Sequence, residues 1–481
     1  MTLDIATSLE SPVVRVLLGA LAAALLLVLG RELRKIPAKL MVLMAAAFLD
    51  MVGLLIVIPI LPFYARRLGG EGFVIGGVEL GIGTVVALLV STFTIAQLVS
   101  APVWGRFSDR FGRRPALLVA LGASVIAYVI FGFANSLALL FISRIVQGLG
   151  GGTVGVIQAY VADSVEPDQR AKGLGWLSAA TNLGVALGPV LGSFAITLGN
   201  KVCNIGGGDV AGLHAVGHAM PGLFAALLCV INMAFAWRYL RESHTLGEAH
   251  HPTAPKPRSS REVVLRVIEH SGEPASRLIW IYAIAMGAFQ GVTAVLALFL
   301  ADRFQVTEQT IGYFFMYIGS ISVFTRVLLL GRMVDWLGEA KLSRLGLLLL
   351  ALGVFGMPLA WNLWMLGITV ALIPLGTAFT FPCVTALLSR VISPLERGLY
   401  MGLQQTYGGV ARIIAPLFFG WSFDTLGVSS PYFFASAFIV ATILLGLGLD
   451  KYAKHDEPKA EIIAAAVPKE AESEIASVKT S

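Results

Sequence analysis

Residues 105–114 read Gly-Arg-Phe-Ser-Asp-Arg-Phe-Gly-Arg-Arg, and they separate two long apolar runs. A second copy, Gly-Arg-Met-Val-Asp-Trp-Leu-Gly, occupies residues 331–338, so that Gly, Arg, Asp and Gly recur at an offset of 226. Further matches share an offset of 227, namely Pro167 with Pro394, Arg170 with Arg397, Gly175 with Gly402 and Pro189 with Pro416. A repeat over so long a stretch predicts a chain of two related halves.

The remainder of the chain consists of apolar runs of about 20 residues, the length that crosses the hydrocarbon core of a membrane. We place these runs at 12–30, 39–64, 78–104, 115–134, 137–161, 172–198, 218–240, 277–301, 309–330, 342–361, 364–389, 398–422 and 431–450. Only 13% of the 481 residues are charged, whereas a soluble domain carries about 25%. The sequence therefore predicts an all-α membrane protein.

Loop charges indicate how the helices are oriented. Lys and Arg concentrate in the connections after Trp104, Val161, Tyr239, Gly331 and Ser389. The alternate connections, such as 134–136 and 361–363, are nearly neutral. By the positive-inside rule the basic loops face the cytoplasm. The same rule accounts for the net charge of +6, so a nucleic-acid partner is not expected.

The repeat and the composition divide the chain into five parts. Residues 39–241 and 277–450 are each expected to form a six-helix bundle, joined by a polar, basic cytoplasmic linker at 242–276. The tail at 451–481 is rich in Lys, Glu and Ala, which predicts disorder. Residues 1–38 predict an extra spanning helix and a basic linker, with a helix lying on the membrane surface as the alternative.

Several motifs resemble the major facilitator superfamily. Residues 105–114 resemble its signature loop between the second and third helices, and Arg-Ile-Val-Gln-Gly at 144–148 resembles its fourth-helix motif. Residues 184–192 resemble the fifth-helix motif of the antiporters, with Ser193 in place of the usual last glycine. Phe-Leu-Asp-Met-Val-Gly at 48–53 resembles the first helix of the 12-span drug:proton antiporters, including the tetracycline exporters.

The resemblance spans roughly residues 39 to 450 and implies a major facilitator fold of two pseudo-symmetric six-helix bundles. Transporters built from two such repeats bind substrate near the membrane midplane, between the halves. The fold therefore implies alternating access around a central site.

The resemblance also implies a conformational latch at the signature loop. Asp109 is expected to sit against the positive N-terminus of the eleventh helix, near Leu399. Arg113 is expected to pair with Asp163 at the inner end of the fourth helix. These contacts would hold the outward-facing state, and the alternative is a loop that serves only as a topology signal. The full set of latch residues is Gly105, Asp109, Arg110, Gly112, Arg113, Arg114 and Asp163.

Asp50 and Arg144 are the candidate proton-coupling residues. Asp50 lies about ten residues into its helix and Arg144 about eight residues from the opposite face, which places them at similar depths at about 1.5 Å per residue. A carboxylate at this depth is costly unless it is paired, hydrated or protonated. Because desolvation and a nearby cation shift its pKa in opposite directions, Asp50 could bind and release a proton. A static buried ion pair is the alternative.

The fifth-helix motif consists of Gly184, Gly188, Pro189 and Gly192. The three glycines recur every four residues, so they share one helix face that permits close packing, and the proline bends the helix. The resemblance implies a seal that favours antiport, with ordinary small-residue packing as the alternative.

Polar residues inside the apolar spans are candidates for a substrate cavity. We rank Gln147, Asn182, Gln290 and Gln404 first, because amides at this depth face either a cavity or another helix. A hydrogen bond between helices is the alternative for each of them.

Enzyme classes are not supported by the sequence. The glycine-rich stretch at 148–152 lacks the following Lys-Ser/Thr of a phosphate-binding loop, and no HExxH or paired CxxC appears. His214 and His218 have helical spacing, but no metal site is expected. We expect neither enzymatic activity nor a cofactor, and transport driven by the proton gradient.

The sequence thus predicts a monomeric multi-pass transporter of the bacterial inner membrane, surrounded by lipid. It is expected to exchange protons for amphipathic or lipophilic small molecules such as drugs, by alternating access. The alternatives are a lipid or lysolipid flippase, a sugar or organic-acid carrier, and a membrane receptor built on a transporter scaffold.

Overall fold

The computed structural model describes residues 38–70, 72–75, 78–151, 153–164, 170–205, 211–240, 242, 267–392 and 396–449. The predicted extra helix at 12–30 and the tail at 451–481 lie outside these residues, as does most of the linker at 242–276.

The first half is helical except for a hairpin of two short strands after the first span. Its helices are α1 (Ala38–Val57), α2 (Leu61–Gly69), α3 (Ile82–Phe111), α4 (Arg113–Gly132), α5 (Leu137–Leu149), α6 (Thr153–Ser164), α7 (Arg170–Ile205) and α8 (Ala211–Tyr239). Strands β1 (Gly72–Ile75) and β2 (Val78–Gly81) pair antiparallel, with Gly72 opposite Gly81. The sequence did not predict this hairpin.

The second half repeats this plan. Its helices are α9 (Pro274–Phe304), α10 (Ile311–Phe324), α11 (Leu330–Leu337), α12 (Glu339–Gly356), α13 (Leu363–Val391), α14 (Arg397–Leu426) and α15 (Ser430–Leu445). A π-helical segment at Thr325–Leu329 joins α10 to α11.

Two predicted spans are interrupted, and local sequence explains both interruptions. The span predicted at 39–64 breaks between α1 and α2, where Pro59 and Pro62 lack the N–H groups that a continuous helix needs. Pro62 falls in the first turn of α2, the position that tolerates proline best. The span predicted at 137–161 breaks at Gly150 and Gly151, between α5 and α6. Across the first break, Leu40–Gly69 still forms one span long enough to cross a membrane.

When α1 with α2, α5 with α6, and α10 with α11 are each counted as one rod, the described residues form twelve rods. Eight of the spans in this part of the chain are long and apolar enough to cross a membrane. In the first half α1 packs on α7 and α8, and in the second half α9 packs correspondingly on α14 and α15. The halves meet where α3 packs on α14 and α7 packs on α10. This is the predicted all-α architecture of two six-helix bundles.

Candidate functional site

Asp50 lies on the wall of a cavity within the first half. The cavity has a volume of about 460 Å³ and lies between α1, α6 and α7. Its lining is mostly apolar, with polar groups from Gln158, Ser178, Thr181 and Asn182 besides the carboxylate. Asp50 itself is 8% exposed, about 18 Å from the start of α1 at 1.5 Å per residue. An ionisable group is therefore placed at membrane depth beside a space that suits a small molecule.

Arg144, the other predicted coupling residue, is buried in α5. Only 2% of its surface is exposed, and its guanidinium lies over the ring of Phe131, 5.4 Å from the ring centre. Its Nε donates to Ser143 Oγ at 3.4 Å, and its Nη2 has no hydrogen-bond partner among the described residues. Arg144 therefore remains a cation with spare donor capacity in the middle of the bundle.

Tyr128 of α4 lies near the two predicted coupling residues, and sequence reasoning missed it. Asp50, Arg144 and Gln147 all lie close to its side chain. A Cβ atom at Gly53 would lie 3.3 Å from the Tyr128 hydroxyl, so the ring packs against α1 one turn beyond Asp50. The predicted pair thus belongs to one buried polar cluster: Asp50, Tyr128, Arg144 and Gln147.

The fifth-helix motif packs directly on the helix that carries Asp50. Cβ atoms added at Gly184, Gly188 and Gly192 would lie 2.6 to 2.7 Å from atoms of Met51, Leu55 and Ile56. Side chains at these positions would push α7 away from α1, so the glycines set the depth of the cavity between the two helices. Pro189 lies inside α7, on the side that meets Gly312 of α10.

The four predicted cavity amides do not gather in one place. Asn182 lines the cavity beside Asp50, and Gln147 lies buried beside Tyr128. Gln290 is half-buried in α9. Gln404 of α14 is fully buried and accepts a hydrogen bond from Thr385 Oγ1 at 3.2 Å. The first two belong to the first half and the last two to the second.

The signature loop lies at the side of the molecule that carries the basic connections, which we call the basic side. Gly112 joins α3 to α4 with a φ of 101°, a left-handed conformation that suits glycine. Arg113 Nη1 donates to Asp109 Oδ1 at 2.6 Å, and the Asp109 side chain is 63% exposed. Arg110 lies over the ring of Phe111, and no described atom outside its own helix lies within 4 Å of a Cβ added at Gly105.

Glu242 holds the start of α4, which the sequence did not predict. Its carboxylate accepts hydrogen bonds from the backbone N–H groups of Arg113 at 2.8 Å and Arg114 at 3.1 Å. Arg114 in turn donates to the carbonyl of Trp237 in α8. The acid that follows α8 thus fixes the signature loop within the first half. Asp163 lies in α6, but its side chain is outside the described residues, so its pairing with Arg113 stays a prediction.

Among the described residues, Asp109 makes no hydrogen bond to α14. Its carboxylate binds Arg113 of its own loop. The Asp109 contact of the predicted latch is therefore not formed here, while the Arg113–Asp163 contact stays a prediction.

The halves are instead joined at the opposite side, which carries the nearly neutral connections. Asp424, near the end of α14, accepts hydrogen bonds from the N–H groups of Gly83 at 2.8 Å and Thr84 at 2.7 Å, and from Thr84 Oγ1 at 2.6 Å. It thereby caps the first turn of α3 from the other half. Arg66 pairs with Asp302 at 2.8 Å in the same region.

Ser193, the residue that departs from the fifth-helix motif, adds to this closure. Its Oγ accepts from the N–H of Gly312 at 3.0 Å and donates to the carbonyl of Glu308 at 3.2 Å. The side chain therefore links α7 to the connection between α9 and α10. A glycine at this position would lack both hydrogen bonds.

Comparison with known proteins agrees with this architecture. The model of the family described as Major Facilitator Superfamily matches residues 43–360 and 278–476. The chain belongs to the major facilitator superfamily. Members of that family are transporters and not enzymes, and this protein is therefore a transporter. It is an integral multi-pass membrane protein.

Relatives of this major facilitator protein include drug-resistance proteins. It is 26% identical over 413 residues to multidrug resistance protein 2 of Bacillus subtilis (strain 168), covering 85% of this chain and 93% of the relative. It is 28% identical over 371 residues to the class G tetracycline resistance protein of Vibrio anguillarum, covering 77% and 86%. The crystal structure of a human organic anion transporter has the same fold, with a TM-score of 0.60, 22% identity and coverage of 85% and 100%.

Proposed function

We propose that this transporter exports amphipathic or lipophilic small molecules, such as drugs, in exchange for protons. Asp50 is the proton site in this mechanism, and Arg144 tunes it through the cluster around Tyr128. The observation that carries the proposal is the buried carboxylate of Asp50 on the wall of a cavity of about 460 Å³. A substrate in that cavity lies beside the carboxylate, so substrate and proton compete for it.

The contacts between the halves support alternating access. The opposite side is closed by Asp424, Ser193 and the Arg66–Asp302 pair, while Asp109 is free of α14 on the basic side. If the basic loops face the cytoplasm, this arrangement is the inward-facing state, in which Asp50 releases its proton to the cytoplasm and the cavity takes up substrate. Engaging Asp109 on α14 while Asp424 leaves α3 would produce the outward-facing state.

The relatives named for multidrug and tetracycline resistance support export of small molecules. We further propose that the protein works as a monomer, because each half supplies one wall of the passage and the mechanism requires no second copy. We place it in the cytoplasmic membrane of a bacterium.

The test is proton-coupled transport in liposomes. We would reconstitute the wild type, Asp50→Asn and Glu79→Gln, impose a pH gradient of either sign, and follow a lipophilic fluorescent cation. Glu79 is the matched control because its carboxyl is exposed in β2, away from the cavity. We expect gradient-driven movement to fall to background in Asp50→Asn and to persist in Glu79→Gln.

Movement that ignores the gradient in the wild type would overturn proton coupling. Equal movement in the wild type and Asp50→Asn would overturn the role of Asp50. Either result would favour lipid transport or uniport by the same fold.

A further inference from the structure

The second half contains two arginines at membrane depth. Arg412 lies near the middle of the 30-residue helix α14, and Arg326 lies in the π-helical segment. The carboxylates of the described second half all lie at helix ends or in connections: Glu269, Glu273, Asp302, Glu308, Asp335, Glu339, Glu396 and Asp424. A cation at this depth is costly without a counter-charge or water and is often functional. The second half therefore carries positive charge that its own carboxylates do not balance at that depth.

Arg412 has no hydrogen bond or ion pair to another described residue, and its Nε is buried without a partner. Arg326 differs, because its Nε donates to Ser322 Oγ at 3.3 Å. Since unsatisfied buried donors are rare in folded proteins, Arg412 is the stronger candidate for a group that binds a ligand.

Aromatic and polar groups lie beside Arg412 on α14. A Cβ atom at Gly408 would lie 3.9 Å from Arg412 Nη2 and 2.8 Å from the ring of Tyr282, so the glycine lets the ring pack on the helix next to the guanidinium. Gln405 Nε2 donates to the Tyr282 hydroxyl at 3.4 Å. The Tyr282 ring packs on Phe381 of α13, with ring centres 5.5 Å apart. A guanidinium, an amide and a hydroxyl thus stand at the edge of an aromatic wall.

The internal repeat relates this spot to the cavity beside Asp50. At the offset of 227 that matches Gly175 with Gly402 and Pro189 with Pro416, helix α14 corresponds to α7. Four residues of α7 that line the cavity, Ser178, Thr181, Asn182 and Val185, then correspond to Gln405, Gly408, Gly409 and Arg412. The corresponding faces of α7 and α14 are thus both next to a charged group. This group is the Asp50 carboxylate in the first half and the Arg412 guanidinium in the second.

We propose that Arg412, with Tyr282 and Gln405, forms a subsite for the carboxylate or sulfonate group of an amphipathic substrate. The guanidinium binds the acid group through charge-assisted hydrogen bonds, and the rings of Tyr282 and Phe381 hold a planar apolar body beside it. The two rings meet edge to face at 70°, and these rigid aromatic surfaces favour an aromatic organic acid over a flexible acyl chain. This inference rests on the proposed export of amphipathic molecules and adds a substrate class to it.

The test is equilibrium binding without any gradient, on the full-length protein in a neutral detergent. The probes are 2-naphthoate and its methyl ester, which differ in charge and share the same ring. We expect the wild type to prefer the acid and Arg412→Gln to weaken binding of the acid about 10-fold. Binding of the ester should change little, which also shows that the variant is folded. Arg412→Lys should retain part of the preference, because it keeps the charge but not the fork of donors.

Arg326→Gln is the matched control, because it removes the other half-buried arginine at membrane depth in the same half and should leave the preference unchanged. Equal binding of acid and ester by the wild type would overturn the subsite, and so would an unchanged preference in Arg412→Gln. These outcomes are independent of proton coupling, since the measurement uses no gradient, and Glu79→Gln, which lies outside both sites, should keep the preference for the acid. Failure of the coupling proposal would appear only in the liposome assay.

Discussion

Two aspartates at opposite ends of neighbouring helices have different surroundings in this structure. Asp109 lies near the basic end of α3, and Asp424 lies near the other end of α14. Asp424 accepts three hydrogen bonds from the first turn of α3. Asp109 is exposed and binds Arg113 in its own loop, although the family resemblance places its partner at the first turn of α14. Each helix thus carries an acid able to cap the other, and one cap is formed.

The difference indicates how one pair of helices can hold two states. A carboxylate at a helix N-terminus satisfies backbone N–H groups and interacts favourably with the helix dipole. Because α3 and α14 pack against each other across the halves, tilting one on the other brings one cap together and separates the other. The Asp424 cap therefore stabilises the state closed at the opposite side, and the Asp109 cap is predicted to stabilise the reverse state.

Removal of the Asp424 carboxylate is the largest expected change. Asp424→Ala leaves the N–H groups of Gly83 and Thr84 without their acceptor, and loss of such a cap costs about 2 kcal/mol of the closed state. The equilibrium should then shift about 30-fold towards opening of the opposite side. Spin labels at the exposed positions Asn135 and Trp361, one on each half at that side, would report the shift as longer distances.

The matched variant of this comparison is Asp109→Asn. Its exposed pair with Arg113 contributes little to the present state, within the range of about 0.2–1 kcal/mol for exposed ion pairs. The same label distances should stay short or become shorter, because the variant weakens only the reverse state. Longer distances in Asp109→Asn, or unchanged distances in Asp424→Ala, would contradict the two-cap interpretation.

Close packing of α3 on α14 gives the next largest expected effect. A Cβ atom at Gly420 would lie 2.5 Å from the carbonyl oxygen of Gly83 and 2.6 Å from the Cβ of Ala87. Gly420→Ala should therefore separate the helices beside the Asp424 cap, and overpacking of this kind costs about 1–3 kcal/mol. A shift of about 10-fold towards the state open at the opposite side is expected in the same label experiment.

Gly402→Ala is the control on the same helix, because no atom lies within 4 Å of its added Cβ. Both variants also raise helix propensity equally. The prediction fails if the two alanines shift the label distances to the same extent.

The spans and the repeat were predictable because both are local in sequence. An apolar run long enough to cross a membrane is readable wherever it occurs, and the breaks at Pro59 and in the glycine run 150–152 follow from backbone chemistry. The π-helical segment at Thr325–Leu329 and the hairpin at 72–81 have no comparable signal. They depend on how neighbouring elements pack.

The residues that reasoning from sequence missed act over long separations along the chain. Asp424 caps a helix that lies 341 residues earlier, whereas a cap is normally sought within a few residues of the helix start. Glu242 caps α4 from 129 residues away. Tyr128 resembles any aromatic residue of an apolar span, and only its contact with Gly53 of α1 places it near Asp50. Two of these three missed residues, Asp424 and Glu242, are acids at or next to helix ends whose partners are far away in sequence.

A third prediction concerns pH at the opposite side and is the smallest in effect. Burial raises the pKa of Glu308 above its ordinary value, and the nearby Arg67 offsets part of that rise. Arg67 also contacts His218 Nδ1 at 2.9 Å and lies over the ring of Tyr64. A carboxyl whose pKa is raised by closure binds its proton more tightly in the closed state.

Glu308 therefore stabilises the closed state fully at a pH below the ordinary carboxyl pKa. This stabilisation is lost as the pH rises through the raised pKa of Glu308. As the pH rises through the acidic range, the ratio of open to closed states should rise a few-fold. The distance between labels at Asn135 and Trp361 should lengthen accordingly, and Glu308→Gln should remove this pH dependence. Glu308→Gln leaves the contact between Arg67 and His218 in place, so the variant tests the carboxyl alone. If a transition in the acidic range survives Glu308→Gln, another group is responsible for the pH response. The two-cap interpretation would then stand without a contribution from Glu308.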